Sequence, residues 1–558
     1  MYLRRTQRRN KDGSVTGYLA LAHNERVEGV ARAKVLVNLG REDALDRAAL
    51  ERLVGSIRRY LDQADPVAGV EGEAGLRALD ARPIGAAWAL EGLWRRLGIG
   101  EAIEGVLEGR RHRHDVERAI FALVANRAIA PDSKLAAAEW VSEDAAIPGL
   151  EGLEPQHAYR AMDILATADA EGAVQEAVFF GVADLLNLEV DLLFFDTTSS
   201  YFEIADDEDE DPDEDEIRRY GHSKDHRPDR PQVVIGLAVT KEGIPVRCWT
   251  WPGNTSDQSV IAEVKADLAG WKLGRAVWVV DRGLSSEANL KQLRRGGGNW
   301  IAGMRMRAGQ QQCEAALSRP GRLREVRESL RVKEVRVGER DSERRFIVCH
   351  NPAEEAKDRR RRERAIERIG EELERIGALR ARAGKTGTAH ERAECALREH
   401  PSFGRYLRQT KARRLKIDQA KLKAEARLDG KYLLETSDPE ISAEDAALGY
   451  KNLLEAERCF RDLKGTLRLR PMFHRLEEPI KAHILICWLA LLLVRIAERE
   501  VGQSWRKMRV ELERIKLVTL EGAAGTVQQT TPLSRSQSEI LASLEVDPPP
   551  PVTALEPS

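Results

Sequence analysis

The chain has 558 residues, of which 89 are Lys or Arg and 91 are Asp or Glu, so its formal net charge is −2 at pH 7. At about 150 residues per domain, this length predicts roughly three or four domains, or one domain with large insertions. A hydrophobic share of 42% argues against global disorder. Six cysteines without any Cys-x2-Cys spacing exclude a disulfide scaffold, disfavour a zinc ribbon and fit a reducing compartment.

The N-terminal part of the sequence is basic. Residues 1–41 contain nine Lys or Arg against three acids, a local net charge of +6. Short apolar stretches at 17–22 and 34–39 favour strands. Because no long apolar run follows the basic residues, a secretory signal is not expected.

The longest apolar run, ILICWLALLLV at 484–494, has eleven residues. A helix that spans a bilayer needs about twenty. The run therefore predicts a buried helix, and we expect a cytoplasmic protein with no membrane partner.

Changes in period and charge divide the chain into six predicted segments. Apolar residues three and four apart between 44 and 185 are typical of helices. From 186, a meander of three strands followed by alternating helices and strands predicts a mixed α/β sheet. The segments are a basic strand-rich arm (1–60), a helical region (61–185), the first part of the sheet (186–307), an insertion of strands and a charged helical hairpin (308–428), the last part of the sheet with a long helix (429–500), and a C-terminal helix with a disordered Pro-rich tail (501–558).

Two acids follow strongly apolar strands. Asp196 ends VDLLFFD and Asp281 ends AVWVVD. Two such carboxylates on neighbouring strands can share a divalent cation, and Mg²⁺ prefers oxygen ligands. The alternative for each aspartate alone is a structural role as strand terminator or cap.

A predicted helix at 449–471 carries a third acid. Tyr450, Glu457 and Lys464 are spaced seven and seven, so they share one face, whereas Glu455 lies about 200° around the helix from Glu457. A carboxylate between a Tyr and a Lys suggests a metal ligand flanked by groups that contact phosphates. The alternative is an amphipathic helix with a solvated charged face.

The order strand–Asp, strand–Asp, helix–Glu resembles the DDE transposases, whose catalytic domain is RNase H-like. The branch of bacterial insertion sequences with a Tyr-x2-Arg-x3-Glu-x6-Lys signature is the most similar, with Leu453 standing here in place of the Arg. One expected DNA contact is then either missing or supplied by Arg458 or Arg461. Further stretches similar to this branch are FFDTTS (194–199), YGHSKDHRPDRPQ (220–232), PGNTSD (252–257), VVDRG (279–283) and the sequence from 467 to 493.

The resemblance implies metal-dependent phosphoryl transfer on DNA. Asp196, Asp281 and Glu457 would hold two Mg²⁺ ions, with Mn²⁺ as a substitute. The implied steps are nicking at the element end, release from flanking DNA and joining to target DNA. The implied DNA contacts are Tyr450, Lys464, Arg458, Arg461, Arg282, Lys224 and Arg227.

The implied partners are double-stranded DNA of the element end, target DNA and a second copy of the chain in a synaptic complex, in a nucleoid-associated bacterial protein. Residues 1–185 are expected to recognise the end, through phosphate contacts of the basic stretch and a helix in the major groove. Two other functions stay open. One is a metal-dependent nuclease or resolvase without strand transfer, and the other is a catalytically silent DNA-binding relative.

Two charged segments have more than one interpretation. Residues 203–216 contain eleven acids in fourteen positions, which favours a solvated hairpin insertion over a metal-binding loop. Without them the balance is 89 − 80 = +9. The helix at 359–376, rich in Arg and Glu, fits a nucleic-acid arm and a plain solvated hairpin equally well.

Overall fold

The computed structural model describes most of the chain. The described residues are 2–9, 15–27, 30–45, 76–107, 115–169, 172–186, 188, 190–203, 216–271, 276–307, 311–339, 343–382, 388–522 and 525–557. Most of the acidic stretch, 204–215, lies outside them, so the predicted hairpin there stays a prediction. The chain divides into two compact units, one made of Met1–Asp80, Val518–Gln529 and Val552–Ser558, the other of Ala81–Leu517 and Thr530–Pro551.

Eighteen strands are described. Those of the N-terminal part are β1 Tyr2–Arg9, β2 Val15–Val27, β3 Val30–Arg41 and β4 Arg77–Pro83. Those of the central part are β5 Leu192–Tyr201, β6 Gln232–Val239, β7 Pro245–Pro252, β8 Val277–Val280, β9 Asn299–Met304, β10 Arg324–Arg327, β11 Leu330–Val337, β12 Arg344–His350, β13 Leu407–Gln409, β14 Leu415–Ile417 and β15 Lys431–Thr436. The last three are β16 Lys516–Gly522, β17 Gly525–Thr530 and β18 Val552–Pro557.

Seventeen α-helices are described. The first six are α1 Gly85–Arg96, α2 Ile99–Leu107, α3 Val116–Ile129, α4 Lys134–Glu139, α5 Pro155–Ala168 and α6 Ala173–Leu185. The next six are α7 Ile261–Leu268, α8 Glu287–Arg294, α9 Gln311–Ser318, α10 Pro352–Arg382, α11 Ala389–Glu399 and α12 Gln419–Ala426. The last five are α13 Ala443–Lys451, α14 Leu453–Lys464, α15 Glu477–Val501, α16 Trp505–Leu512 and α17 Arg535–Ser543. Short 3₁₀ turns occupy Glu42–Ala44, Arg295–Gly297 and Gly404–Tyr406, and a π-helical turn extends α4 over Trp140–Asp144.

A nine-stranded sheet organises the larger unit. Its strand order is β10-β11-β12-β15-β9-β8-β5-β6-β7. Strand β8 pairs in parallel with both β5 and β9, whereas the other pairings are antiparallel. The predicted mixed α/β sheet, with a three-strand meander followed by alternating helices and strands, is confirmed. The smaller sheets have the orders β1-β2-β3, β13-β14 and β18-β17-β16-β4.

The sheet separates two hydrophobic cores because successive side chains of a strand point to opposite faces. Phe194 belongs to the larger core and Phe195 to the second. Strands β6 and β8 are buried along their whole length, which is typical of strands covered on both faces.

Helix α15 is the central helix of the larger core. Seventeen of its 25 residues are buried. It is long and apolar enough to cross a membrane, but 94% of its most apolar window is buried inside the protein. The predicted buried helix is therefore confirmed, although it extends well beyond the apolar run at 484–494.

The predicted continuous helix at 449–471 is wrong. Helix α13 ends at Lys451, Asn452 has a ψ of −4°, and α14 begins at Leu453. Helix α14 ends at Lys464, where Gly465 forms the C-cap and a glycine is a poor helix former. The face that carries Tyr450, Glu457 and Lys464 therefore spans two consecutive helices.

The segment 308–428 does not stand apart from the sheet. Strands β10, β11 and β12 extend it beyond β15, with Cys349 aligned with Tyr432. Only the following residues form the predicted charged hairpin, in which α10 and α11 pack around Ile369, Ile376 and Leu397. A strand-rich half and a helical half were expected. The hydrogen bonding of the strand-rich half to β15, through β12, could not be seen in the sequence pattern.

The predicted disordered Pro-rich tail is also wrong. Strand β18 pairs with β17, with Leu555 aligned with Val527. Before it, the carbonyl of Asp547 accepts a hydrogen bond of 2.7 Å from the indole N–H of Trp88. Backbone pairing thus orders a segment that its composition marked as unstructured. Strand β4, likewise, lies in a stretch expected to be helical.

Arg495 should be critical for the packing of α15. Its guanidinium, 5% exposed, contacts Glu455 of α14, donates to Glu498 at 3.2 Å and to the Gly243 carbonyl at 3.2 Å. We expect Arg495→Ala to cost about 1–3 kcal/mol, because it removes the nearest partner of Glu455, one of the two arginine partners of Glu498 and a donor to the Gly243 carbonyl.

A thermal unfolding curve measures the effect as a lower melting temperature. Arg499→Ala, one turn later on the exposed side of the same helix, is the matched control and should melt like the parent. Equal melting temperatures for the two variants would contradict the structural role of Arg495.

Candidate active site

Asp196 and Asp281 lie side by side where the parallel pairing of β5 with β8 ends. Strand β5 itself continues to Tyr201, so the prediction that Asp196 ends its strand is wrong. Strand β5 runs parallel to β8, and Phe195 is aligned with Val280. Asp196 and Asp281 are the next residues along each chain segment. Since neighbouring strands are about 4.8 Å apart, the register brings these carboxyl groups to adjacent positions.

The environment of Asp196 disfavours its negative charge. The pKa of this half-buried carboxyl group is raised from 3.8 to about 6, first by burial and then by the charges of Asp281 and Asp257. Lys224 and the backbone N–H of Thr197, which donates to Oδ1 at 2.8 Å, act in the opposite direction. Burial of the carboxyl group therefore outweighs the favourable charge of Lys224.

Lys224 supplies the nearest positive charge. Its ammonium group donates to the carbonyl of Thr197 at 2.8 Å and to the Thr197 hydroxyl at 2.6 Å, and it lies 2.9 Å from a carboxylate oxygen of Asp257. The Thr197 hydroxyl donates to the other Asp257 oxygen at 2.6 Å. Lys224, expected to contact DNA, is thus engaged inside the site. The sequence did not single out Asp257; its position in the PGNTSD stretch after β7 was the available signal.

Tyr450 reaches the second aspartate. Its hydroxyl donates to Oδ1 of Asp281 at 2.9 Å. Burial, followed by the charge of Asp281, raises the pKa of Tyr450 above its ordinary value, so the phenol remains a donor. Gly303 on the adjacent strand makes room, because a Cβ there would lie 2.1 Å from the Tyr450 hydroxyl oxygen.

Glu457 lies on the helical face that also carries Tyr450 of α13 and Lys464 of α14. Both of these flanking residues contact aspartates. Tyr450 contacts Asp281, and Lys464 donates to Asp225 at 2.7 Å. Burial lowers the pKa of Lys464, although the Asp225 carboxylate opposes the shift. Glu457 itself is exposed, and in the described part of the chain it has no hydrogen-bond or ion-pair partner.

The arginines expected to contact DNA differ in their surroundings. Arg458 pairs with Glu498 at 2.9 Å, and Arg227 pairs with Asp229 at 2.9 Å. Arg461 is exposed and, among the described residues, has no partner. Arg461 is therefore the better candidate to replace the missing signature arginine.

Leu453, at the position of that signature arginine, is 6% exposed and belongs to the larger core. Its side chain packs on the apolar face of α14 with Ala456 and Phe460. This position thus stabilises the helix and makes no contribution to the charged face.

The two aspartates fit a hard cation in ligand type, since both offer carboxylate oxygens. Burial, with a smaller contribution from the charge of Asp281, raises the pKa of Asp196, and added positive charge would oppose this shift. However, no three His, Cys, Asp or Glu side chains of the described residues are grouped closely enough to hold a metal ion. Glu457 therefore does not join the aspartates in this structure.

A basic cavity opens next to Asp281. Its volume is about 640 Å³, and Arg282, which follows Asp281, lines it together with residues of α10 and of 400–431. Eight of its lining residues are basic (Arg282, Arg307, Arg361, Arg362, Arg364, Arg368, Arg405 and Lys431) and three are acidic (Asp358, Glu425 and Asp429). The imidazole of His400 stacks on Phe403 with centroids 4.1 Å apart.

The comparison with family models matches the N-terminal part of the chain. The family model described as the IS1634 family transposase, N-terminal domain, matches residues 3–69. No curated protein matches the sequence. The solved piggyBac transposase synaptic complex with hairpin DNA is similar with a TM-score of 0.35 and 9% identity, over 75% of this chain and 79% of that chain. The family match supports a transposase, which is a DNA-transposing enzyme.

The pKa of Asp196 predicts a pH-dependent stability. Because its folded-state pKa of about 6 exceeds the ordinary 3.8, the folded chain binds this proton more tightly, and stability falls as the pH rises from about 4 to about 6. We expect Asp196→Asn to melt at a higher temperature than the parent above pH 6, without divalent cations.

Melting temperatures between pH 4 and 8 in a chelator measure this difference, which should shrink towards pH 4. Asp163→Asn, an exposed aspartate of α5, is the control and should follow the parent at every pH. A difference for Asp196→Asn that does not change with pH would contradict the assignment.

Proposed function

We propose that this chain is a DDE-type transposase of a bacterial insertion sequence, which binds the DNA ends of its element, cleaves them and joins them to target DNA. The observation that carries the proposal is the alignment of Asp196 with Asp281 beneath a helical face anchored by Tyr450 and Lys464. This is the arrangement expected of an acidic site that acts on phosphodiesters.

The sheet supports an RNase H-like catalytic core. The meander β5-β6-β7 is antiparallel, and β8 and β9 follow on the other side of β5, both parallel to it. This is the strand order of an RNase H-like sheet, in which an acid on the first strand meets an acid just after the fourth. Asp196 and Asp281 hold those two positions.

In the proposed mechanism, Asp196 and Asp281 would hold two Mg²⁺ ions through carboxylate oxygens, with Mn²⁺ as a substitute, and Glu457, which does not join them in this structure, would complete the ligand set. When bound, Mg²⁺ supplies charge neutralisation at the attacking and leaving oxygens of the phosphoryl transfer. Tyr450 orients the Asp281 carboxylate, because its hydroxyl donates a hydrogen bond to Oδ1. Lys224 donates a hydrogen bond to the carbonyl of Thr197 and so holds β5 in place next to Asp196.

Charge supports DNA as the substrate. The cavity beside Arg282 has five more basic than acidic lining residues, 8 − 3. Its position next to Asp281 would let it bind the phosphate backbone of a strand that enters the site. Arg461, exposed on α14, would add a phosphate contact. A second copy of the chain, in a synaptic homodimer, would hold the other element end.

Removal of any proposed metal ligand should abolish cleavage. With a plasmid that carries the terminal DNA of the element, we expect Asp196→Asn, Asp281→Asn and Glu457→Gln to reduce Mg²⁺-dependent nicking by at least about 1000-fold, while end binding survives. Gel assays of nicked and joined products measure both steps.

Glu478→Gln is the matched control, because Glu478 is an exposed glutamate of α15 away from the site. It should cleave like the parent. Normal cleavage by any of the three variants would overturn the assignment. Nicked product without joined product would favour a nuclease or resolvase, and binding without nicking would favour a silent DNA-binding relative.

Gly303 should matter through Tyr450. A Cβ at Gly303 would displace the Tyr450 hydroxyl from Asp281, so we expect Gly303→Ala to slow cleavage by roughly ten-fold or more, the loss expected for one hydrogen bond to a charged group. Tyr450→Phe should slow it equally, and the double variant should be no slower than either single one.

Gly377→Ala is the control, since nothing lies within 4 Å of a Cβ built there. Its cleavage rate should match that of the parent. Additive losses in the double variant would mean that Gly303 acts independently of the contact between Tyr450 and Asp281.

A further inference from the structure

One face of the N-terminal sheet is polar and basic around Arg4 and Arg8, whereas Ala22 and Val35 continue the same face as an apolar surface. In the register of β1 and β2, Arg4 is aligned with Ala20, Thr6 with Tyr18 and Arg8 with Thr16. Directly opposed residues of antiparallel strands share a face. Strand β3 adds Asn38 and Arg41 through their alignment with Ala20 and Tyr18. We call this surface the arginine face, made of Arg4, Thr6, Arg8, Thr16, Tyr18, Asn38 and Arg41.

The arginine face contains no acidic residue in this register. Arg8 is exposed and Arg4 is half-buried, and neither has an ion-pair partner among the described residues. Arginine, threonine and asparagine side chains are the donors and acceptors that read base edges. The face therefore carries unneutralised charge together with hydrogen-bonding groups.

The opposite face differs in character. Leu19 and Leu21 of β2 lie there, together with Val37 of β3. Its Arg5 is neutralised by Glu42, whose carboxylate lies 2.8 Å from the guanidinium. A Cβ at Gly17 would lie 2.2 Å from the same carboxylate, so Glu42 packs closely over this face. The pair of Arg5 and Glu42 therefore leaves this part of the opposite face without net charge.

The size of the sheet fits a DNA groove. The outer strands of a three-stranded sheet are about 10 Å apart. The major groove of B-DNA is about 12 Å wide and admits strands as well as a helix. The arginine face can therefore contact base edges and both flanking phosphate backbones.

Among the described helices of the 61–185 region, α2, α3 and α5 offer no exposed basic surface comparable to the arginine face. Thirteen of the fourteen residues of α3 are buried. The exposed positions of α2 include Glu101 and Glu104, and those of α5 include Arg160 beside Asp163. Among α2, α3 and α5, Arg160 is the exposed basic residue, and Asp163 lies one turn from it, so none of these three helices presents a basic surface.

We infer that the arginine face reads the major groove of duplex DNA at the ends of the element. This inference rests on the proposed function and assigns end recognition to a sheet. Arg4 and Arg8 contact base edges, the hydroxyls of Thr6 and Thr16 add contacts to bases or phosphates, and the opposite face does not touch DNA.

The test uses the full-length protein and a library of duplexes with 20 randomised base pairs. The parent should enrich one sequence motif, and methylation of guanine N7 in the major groove should block its binding to that motif. We expect Arg4→Gln with Arg8→Gln to reduce the preference for the motif over random duplex by about ten-fold or more. Arg8→Lys keeps the charge but loses the bidentate geometry, and it should also lose preference.

Arg9→Gln is the matched control. Arg9 is exposed and adjacent to Arg8, but the register places it on the opposite face. It should keep the motif and the preference of the parent. Equal loss in Arg8→Gln and Arg9→Gln would overturn the inference, because it would mean that charge alone matters.

Failure of this inference is distinguishable from failure of the proposed function. If the parent enriches a motif and cleaves it while the Arg4 and Arg8 variants keep full preference, the reading surface lies elsewhere and the function stands. If the parent enriches no motif and cleaves no DNA, the proposed function itself fails. Circular dichroism of each variant verifies that the protein is folded.

Discussion

The parallel pairing of β5 with β8 is the constraint on which the site depends. It aligns Phe195 with Val280 and so makes Asp196 and Asp281 neighbours. A slip of one residue would turn each side chain to the other face of the sheet. The slip is opposed by two cores, since Phe194 and Phe195 are packed on opposite faces of the sheet. The hydrophobic core therefore fixes a pair of carboxylates that repel each other.

Two consecutive residues of opposite charge connect this sheet to α14. Lys224 binds Thr197, which follows Asp196 in β5, and Asp257, which lies in the loop after β7. Asp225 binds Lys464 at 2.7 Å and also contacts Arg470 at 2.6 Å. The loop that carries Lys224 and Asp225 thus holds the helix of Glu457 against the strand of Asp196. This role explains why a basic residue expected to meet DNA is occupied within the protein.

The sequence predicted the elements that follow local rules. The apolar runs before Asp196 and Asp281 predicted two buried strands, although β5 continues beyond Asp196 to Tyr201, and the buried helix at 484–494 is a continuous apolar stretch. The break between α13 and α14 at Asn452 was not predicted, because no Gly or Pro stands at that position. The pairing of β12 with β15 joins residues about 85 positions apart along the chain, and local periodicity carries no information on such contacts.

Side-chain partners were the least predictable part of the site. The face shared by Tyr450, Glu457 and Lys464 follows from helical spacing, but spacing does not tell which loop approaches it. Asp257 lies 60 residues from Thr197, with which it shares a hydrogen bond. Only the folded sheet, which brings the end of β7 near the end of β5, makes this contact evident.

The electrostatic contrast between the two proposed DNA-contacting regions has a mechanistic consequence. The arginine face is basic without acids, so it can attract a polyanion by itself. The carboxylates that follow Phe195 and Val280 have the opposite sign, and Lys224 is a single positive charge beside Asp196 and Asp257. A phosphodiester is therefore repelled from the catalytic edge until further positive charge is bound there. In the proposed transposase, recognition of the DNA end can precede and remain independent of the cation, whereas cleavage cannot.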